Sequence, residues 1–132
     1  MSDRRCARLL IEAAERDART LRILRPTEVS DEVFGFHAQQ AAERAMKARI
    51  ALLGEAYPLT HSNHRLLRRL VDLGVEMDAF VELLDFDPYA VRFRYENLPP
   101  HQGPMDRGRA IQLVDSLIAE VRQAFRGETE SR

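Results

Sequence analysis

Six apolar side chains recur at steps of four and three residues between positions 34 and 52, and this periodicity constrains the fold more than any other feature. Such spacing places all six on one face of an α-helix. Four of them are alanines, whose small side chains let a neighbouring helix approach closely. The sequence therefore predicts a packed central helix over about residues 31–54, with an apolar stripe formed by Phe34, Ala38, Ala41, Ala45, Ala48 and Leu52.

Helical periodicity continues on both sides of this segment. A first helix is expected over about residues 3–24, and Ser30 or Asp31 can cap the central helix. A short third helix is expected after a cap at Thr60 or Ser62, followed by one or two helical turns near residues 78–86. Because no strand alternation is present and the connecting loops are short, the sequence predicts an all-α antiparallel bundle.

Capping residues also mark the helices predicted in the last third of the chain. Asp87 followed by Pro88 is typical of a cap and a first-turn proline, and predicts a short helix through about Tyr95. Asp106 can cap a last helix, whose apolar residues again follow one face. We therefore expect one domain over residues 1–126 and a disordered polar tail over residues 127–132.

Composition limits the classes of partner. Charged residues make up 31% of the 132, but the net charge is −1, so any nucleic-acid binding must come from a local patch. One cysteine, Cys6, excludes an internal disulfide and favours a cytoplasmic location. The first residues, MSDRRCARLL, do not have the pattern of a signal peptide. No segment approaches the roughly 18 apolar residues of a membrane helix, so no membrane association is predicted.

A polar strip runs along the predicted central helix between its apolar regions. Its members, which fall within roughly 80° of the helix circumference, are His37, Gln40, Arg44 and Lys47. One interpretation is a solvated edge, in which Glu43 and Lys47 form a stabilising pair four residues apart. The other is a groove for phosphate and base edges, with Arg94 joining from a later helix. Arg65, Arg68 and Arg69 can extend such a basic surface.

Residues 36–48, FHAQQAAERAMKA, resemble the second-helix signature of the HEPN domains, a family of small helical proteins named for nucleotide binding. The matching residues are Phe36, Gln39, Gln40, Ala41, Glu43 and Lys47. Weaker matches follow at Thr60-His61, Leu66-Leu67 and Arg94-Tyr95. The chain departs from the family pattern at Glu96, where proline is usual, and at Asn63, where leucine is usual.

The resemblance implies a particular fold and a choice of roles. The fold would be an antiparallel up-and-down four-helix bundle with a short extra helix, here in a homodimer. The members of the family include partners of small nucleotidyltransferases, fused substrate-binding domains, and metal-independent ribonucleases of toxin–antitoxin systems. These roles differ in chemistry, so each needs its own test against the residues.

The ribonuclease branch uses an arginine followed, four to six residues later, by a histidine, with the site formed across a dimer interface. Arg94 and His101 match this spacing. With four histidines, three spacings and 19 arginines in 132 residues, roughly 1.7 such matches are expected by chance. Pro99 and Pro100 also separate His101 from any helix that carries Arg94. A ribonuclease using Arg94 and His101 therefore remains the alternative function.

Two other chemistries are disfavoured. His61 and His64 are three residues apart, but no third ligand lies nearby, so no metal and no cofactor are predicted. The Gly-Ser pair and spaced aspartates of nucleotidyltransferases are absent. We therefore expect a non-catalytic nucleotide- or nucleic-acid-binding module that works with a small nucleotidyltransferase. Its ligand-binding residues would be His37, Gln40, Arg44, Lys47 and Arg94.

A purely structural scaffold for dimerisation or partner binding is the second alternative. The homodimer is also suggested by the residues, because the central helix has two apolar sides. Besides the alanine-rich stripe, a second side carries Phe36, Met46, Ile50 and Leu53. If one small bundle cannot cover both sides, the remaining one would form an interface.

Overall fold

The computed structural model describes residues 2–90 and 105–130. Within these ranges every regular element is helical, which confirms the all-α fold. The elements are α1 (Arg4–Leu24), α2 (Asp31–Leu52), α3 (Asn63–Asp72), a 3₁₀ segment (Asp78–Tyr89) and α4 (Arg107–Glu130). None of these helices is long and apolar enough to cross a membrane. Helix α4 continues to Glu130, past the boundary at residue 126, and the polar tail over residues 127–132 stays a prediction.

Side-chain caps begin the α-helices where the sequence places them. Ser30 accepts a hydrogen bond from the Val33 amide at the start of α2, and Ser62 caps α3 in the same way. At the start of α4, Asp106 Oδ1 accepts from the Arg109 amide at 2.9 Å. Each cap satisfies an amide that has no partner inside its own helix.

Helix α2 is the centre of the fold, because it contacts every other element. Helix α1 contacts α2 and α4 but neither α3 nor the 3₁₀ segment, so it lies on the opposite side of the α2–α4 pair. Helices α1 and α2 are antiparallel, since the Asp3 amide donates to the Ala51 carbonyl at 2.9 Å. Helix α4 also runs antiparallel to α1, with Arg4 Nη1 donating to the Phe125 carbonyl.

The described ranges contain three long helices rather than four. Helix α3 has ten residues, and the 3₁₀ segment of twelve residues packs beside it against α2 and α4. The up-and-down four-helix arrangement therefore stays a prediction. Asp87 and Pro88 lie inside the 3₁₀ segment, and the rest of the helix predicted from them through Tyr95 lies outside the described residues.

Asp87 caps a different helix. Its carboxylate accepts hydrogen bonds from the backbone amides of Asn63 at 2.9 Å and His64 at 3.1 Å. It also lies 2.7 Å from His64 Nδ1. The first amides of α3 are therefore satisfied by a side chain 24 residues further along the chain.

Both apolar sides of α2 are covered within one chain. Every member of the alanine-rich stripe is at most 3% exposed. On the second side Met46 and Ile50 are fully buried, Phe36 is half-buried, and only Leu53 is exposed. The assumption that one bundle leaves an apolar side of α2 open is therefore wrong, and the homodimer stays a prediction.

Candidate functional site

The polar strip of α2 lies between α1 and the loop that precedes α3. On one side, Arg44 Nη1 donates to Asp17 Oδ2 of α1 at 2.6 Å, and His37 Nδ1 is 3.9 Å from Asp17 Oδ1. On the other side the loop brings His61 to the helix. The structure therefore brings His37, Gln40, Arg44 and Lys47 onto one surface of α2, as their spacing predicts.

Beneath this surface lies a buried polar network that sequence reasoning missed as a unit. Its centre is Glu43, which is 4% exposed. The Glu43 carboxylate accepts hydrogen bonds from Lys47 Nζ at 3.0 Å and Gln39 Nε2 at 3.3 Å, and lies 3.1 Å from His61 Nδ1. A buried carboxylate is stable only with such partners. The pair of Glu43 and Lys47 is therefore an interior contact and not a solvated edge.

Gln39 extends the network from α2 to α3. Its Nε2 donates to the His61 carbonyl at 2.6 Å, and its Oε1 accepts from Gln40 Nε2 at 2.9 Å. The Asn63 side chain, fully buried, donates to the Gln39 backbone carbonyl at 3.2 Å. At this position, where leucine is usual in the resembled family, the hydrogen bond satisfies the Asn63 amide nitrogen, whereas its buried Oδ1 has no partner among the described residues.

The cationic members of the strip differ in how much of each remains accessible. The Lys47 side chain is 13% exposed and is directed to Glu43, with its ammonium 5.4 Å from the centre of the Tyr57 ring. The Arg44 side chain is 38% exposed, and among the described residues only its Nη1 forms a hydrogen bond. The N–H groups of its Nε and Nη2 are therefore available to donate to another acceptor. Arg44 is therefore the strip residue with the most accessible positive charge.

Hydrogen-bond capacity also remains at two neighbours of Arg44. Gln40 uses only its Nε2 within the described structure, which leaves its carbonyl oxygen as an acceptor. The His61 ring is 67% exposed, with Nδ1 directed to Glu43 and Nε2 without a described partner. In contrast, His37 Nδ1 is buried and lacks a hydrogen bond among the described residues.

The ribonuclease candidates cannot be placed against this surface. Arg94 and His101 both lie outside the described residues, as does the helix predicted through Tyr95. The described histidines at the start of α3 pair with carboxylates, His61 with Glu43 and His64 with Asp87. No group of three metal-ligating side chains occurs within residues 2–90 and 105–130.

A cavity of about 820 Å³ lies between the 3₁₀ segment and α4. Four carboxylates contribute to its lining, from Glu82, Asp85, Asp87 and Asp106. The Arg109 guanidinium there is paired with Glu82 at 3.0 Å, and this contact lowers the pKa of Glu82. The negative charge of this lining opposes an anionic ligand, so we assign the candidate site to the surface of α2.

Of three comparisons with known proteins, the one with family models agrees with the resemblance. Neither the curated proteins nor the solved structures contain a match to this chain. The model of the HEPN domain family matches residues 7–124, which includes α2, α3, the 3₁₀ segment and most of α1 and α4. The matched region contains every residue of the α2 surface, and it covers most of the chain. The chain therefore belongs to the HEPN domain family.

Proposed function

We propose that this HEPN domain is a non-catalytic module that binds a nucleotide or nucleic acid at the α2 surface and works with a separate nucleotidyltransferase. Membership of the family supports a role that involves nucleotides or RNA. The observation that carries the proposal is the state of Arg44. One guanidinium nitrogen is fixed by Asp17 at 2.6 Å, while 38% of the side chain remains exposed. An arginine held in this way is positioned to receive phosphate without first being ordered.

The neighbouring residues supply the rest of the recognition chemistry. Gln40 presents a free carbonyl oxygen, which accepts from a base or sugar edge, and His61 presents an exposed imidazole. Lys47 has a different role, because its ammonium neutralises the buried Glu43 carboxylate. The buried network therefore acts as a rigid base, and the ligand contacts Arg44, Gln40 and His61 above it.

Binding is tested by thermal shift with ATP, GTP, the monophosphates and a ten-nucleotide RNA. A ligand at 100 times its dissociation constant stabilises the protein by about 2.7 kcal/mol. The variant Arg44→Gln removes the charge and is expected to weaken binding about tenfold or more. Its matched control is Arg109→Gln, at an exposed arginine of α4 that pairs with Glu82 and lies outside the α2 surface.

The outcome separates binding from a scaffold role. Loss of the shift in Arg44→Gln but not in Arg109→Gln supports the α2 site. No shift of the unmodified protein with any of these ligands would leave only a partner-binding scaffold. Lys47→Ala is unsuitable as a test, because it leaves a buried carboxylate without its cation.

The partner is tested separately. A small nucleotidyltransferase encoded beside this chain is expected to co-elute with it in size-exclusion chromatography after co-expression. Separate elution of the two proteins at micromolar concentration contradicts the partnership, and it leaves the ligand site to be judged by the thermal shift.

A further inference from the structure

The outer face of α1 carries a second positive surface that the α2 site does not use. Four exposed arginines fall within roughly 80° of the helix circumference. We call this set the basic face, and its members are Arg5, Arg8, Arg16 and Arg19. From the first to the last, the face extends roughly 21 Å along the helix axis at 1.5 Å per residue.

None of these four guanidinium groups forms an ion pair within the described ranges. Two acidic residues of α1, Glu15 and Asp17, are engaged by other helices. Glu15 accepts two hydrogen bonds from Arg122 of α4, at 2.7 and 3.0 Å, and Asp17 accepts from Arg44 of α2. Arginines of other helices thus neutralise two carboxylates of α1, and Glu12 is the one acidic side chain that lies among the four arginines of the basic face.

The opposite side of the molecule carries the opposite charge. Helix α3 and the 3₁₀ segment, residues 63–90, contain six carboxylates against three arginines, so this side has a net negative charge. Helix α1 does not contact this segment, because α2 and α4 lie between them. The net charge of −1 therefore conceals a separation of charge across the fold, and a polyanion is attracted to the α1 side and repelled from the 3₁₀ side.

We propose that the basic face of α1 binds the phosphodiester backbone of single-stranded RNA without reading its sequence. This inference rests on the proposed function for its class of ligand, but it does not depend on Arg44. Guanidinium groups suit phosphate because their donors match two of its oxygens. The absence of aromatic residues from the face leaves no platform for base stacking, so the contacts are to the backbone.

The test uses fluorescence anisotropy of a labelled 20-nucleotide polyuridine between 50 and 200 mM salt. Replacing the four arginines by glutamine removes up to four phosphate contacts, which flattens the slope of log affinity against log salt by about 3. Between these salt concentrations the affinity of the unmodified protein then falls roughly 50-fold more than that of the variant. Circular dichroism controls for folding, since all four side chains are exposed.

One substitution is expected to strengthen binding, which loss of folding cannot imitate. Glu12 is exposed in the middle of the basic face. Glu12→Gln removes the one carboxylate there, so it should raise RNA affinity and steepen the salt slope. The matched control is Arg109→Gln at the start of α4, an exposed arginine paired with Glu82 on the 3₁₀ side, which is expected to keep the slope within one unit of the unmodified protein.

The outcomes separate this inference from the proposed function. A flattened slope in the quadruple variant supports the basic face even if Arg44→Gln leaves nucleotide binding unchanged. An unchanged slope, or equal loss in the Arg109→Gln control, overturns the basic face even if nucleotides bind at α2. Binding of polyglutamate or phosphatidylserine vesicles in preference to polyuridine also overturns it, because the face would then serve another class of polyanion.

Discussion

At the scale of single residues, Glu43 shows how one buried charge joins separate parts of the chain. Its carboxylate receives Lys47 and Gln39 from α2 and faces His61 from the loop before α3. The spacing of Glu43 and Lys47 could be seen in the sequence, but their burial could not. Burial depends on the path of residues 53–62, which covers this side of α2 only after folding.

We predict that Glu43→Ala lowers the free energy of unfolding by about 3 kcal/mol, because it leaves the largely buried Lys47 ammonium without a counter-charge. Urea denaturation measures the change. The control is Asp115→Ala, which breaks an ion pair with Arg22 whose side chains are both about half exposed, at 50% and 48%. This control should cost less than about 1 kcal/mol. Equal effects of the two substitutions would contradict the buried network.

The pair of Glu15 and Arg122 gives a pH dependence with a defined sign. Hydrogen bonds from Arg122 lower the pKa of Glu15 below its ordinary value of 4.5. The stabilisation is therefore present above pH 4.5 and is lost as the pH falls through the lowered pKa. We predict that Glu15→Gln lowers stability modestly at pH 6, and that the two proteins converge towards pH 3. A difference in urea midpoint that stays constant from pH 6 to pH 3 would show that this carboxylate does not contribute as described.

At the scale of elements, the close approach of the 3₁₀ segment to α2 depends on the absence of a side chain at Gly35. A Cβ built there would lie 2.7 Å from both Cγ and Cδ2 of the Tyr89 ring. These atoms are near the base of a buried side chain, so they cannot move aside without displacing the segment. Gly35 therefore sets the distance between two elements that are far apart in sequence.

We predict that Gly35→Ala lowers the free energy of unfolding by about 1–3 kcal/mol, because overpacking outweighs the gain in helix propensity. Gly127 in α4 is the matched control, because a Cβ there would meet no atom within 4 Å. Gly127→Ala should be neutral or stabilising, by up to about 1 kcal/mol. In thermal melts, Gly35→Ala should lower the melting temperature and Gly127→Ala should leave it unchanged or raise it. A higher melting temperature in Gly35→Ala would contradict the close packing of Tyr89 against Gly35.

Arg107 connects three elements through contacts that its sequence position does not reveal. Its guanidinium donates to the carbonyls of Leu24 at 3.1 Å and Val29 at 2.6 Å, and to Asp31 Oδ1 at 3.0 Å. It also lies 5.0 Å from the centre of the Phe34 ring. The start of α4 is thus attached to the turn between α1 and α2.

Helix positions could be predicted because periodicity and caps are local properties of the sequence. The alanine-rich stripe, the caps Ser30 and Asp106 and the central place of α2 all follow from such signals. Contacts between distant residues could not be predicted in this way. Asp87 has the local pattern of a cap for the residues after it, but its carboxylate reaches back to α3.

At the scale of the whole molecule, the prediction of a homodimer rests on membership of the HEPN family. The chain buries both apolar sides of α2 by itself. We predict a homodimer, with a mass by light scattering of twice 15.2 kDa at micromolar concentration. A mass of 15.2 kDa that does not change with concentration would contradict it.

We also predict that the isolated protein does not cleave RNA. The reasons are the chance-level spacing of Arg94 and His101 and the two prolines before His101. Purified protein incubated with a labelled RNA in the presence of EDTA is the measurement, and His101→Ala is its control. Cleavage by the unmodified protein that disappears in His101→Ala would establish the ribonuclease alternative.

The cap that Asp87 gives to α3 has a consequence for the order in which the chain folds. An isolated helix shorter than about 12–15 residues is marginal in water, and α3 has only ten. During synthesis, residues 63–72 emerge before the carboxylate that satisfies their first amides. Helix α3 and the 3₁₀ segment should therefore form in one cooperative step. A chain that ends before Asp87 should therefore lack stable helix over residues 63–72. In the whole protein, hydrogen exchange at the Asn63 and His64 amides should report the opening of α3 and the 3₁₀ segment together.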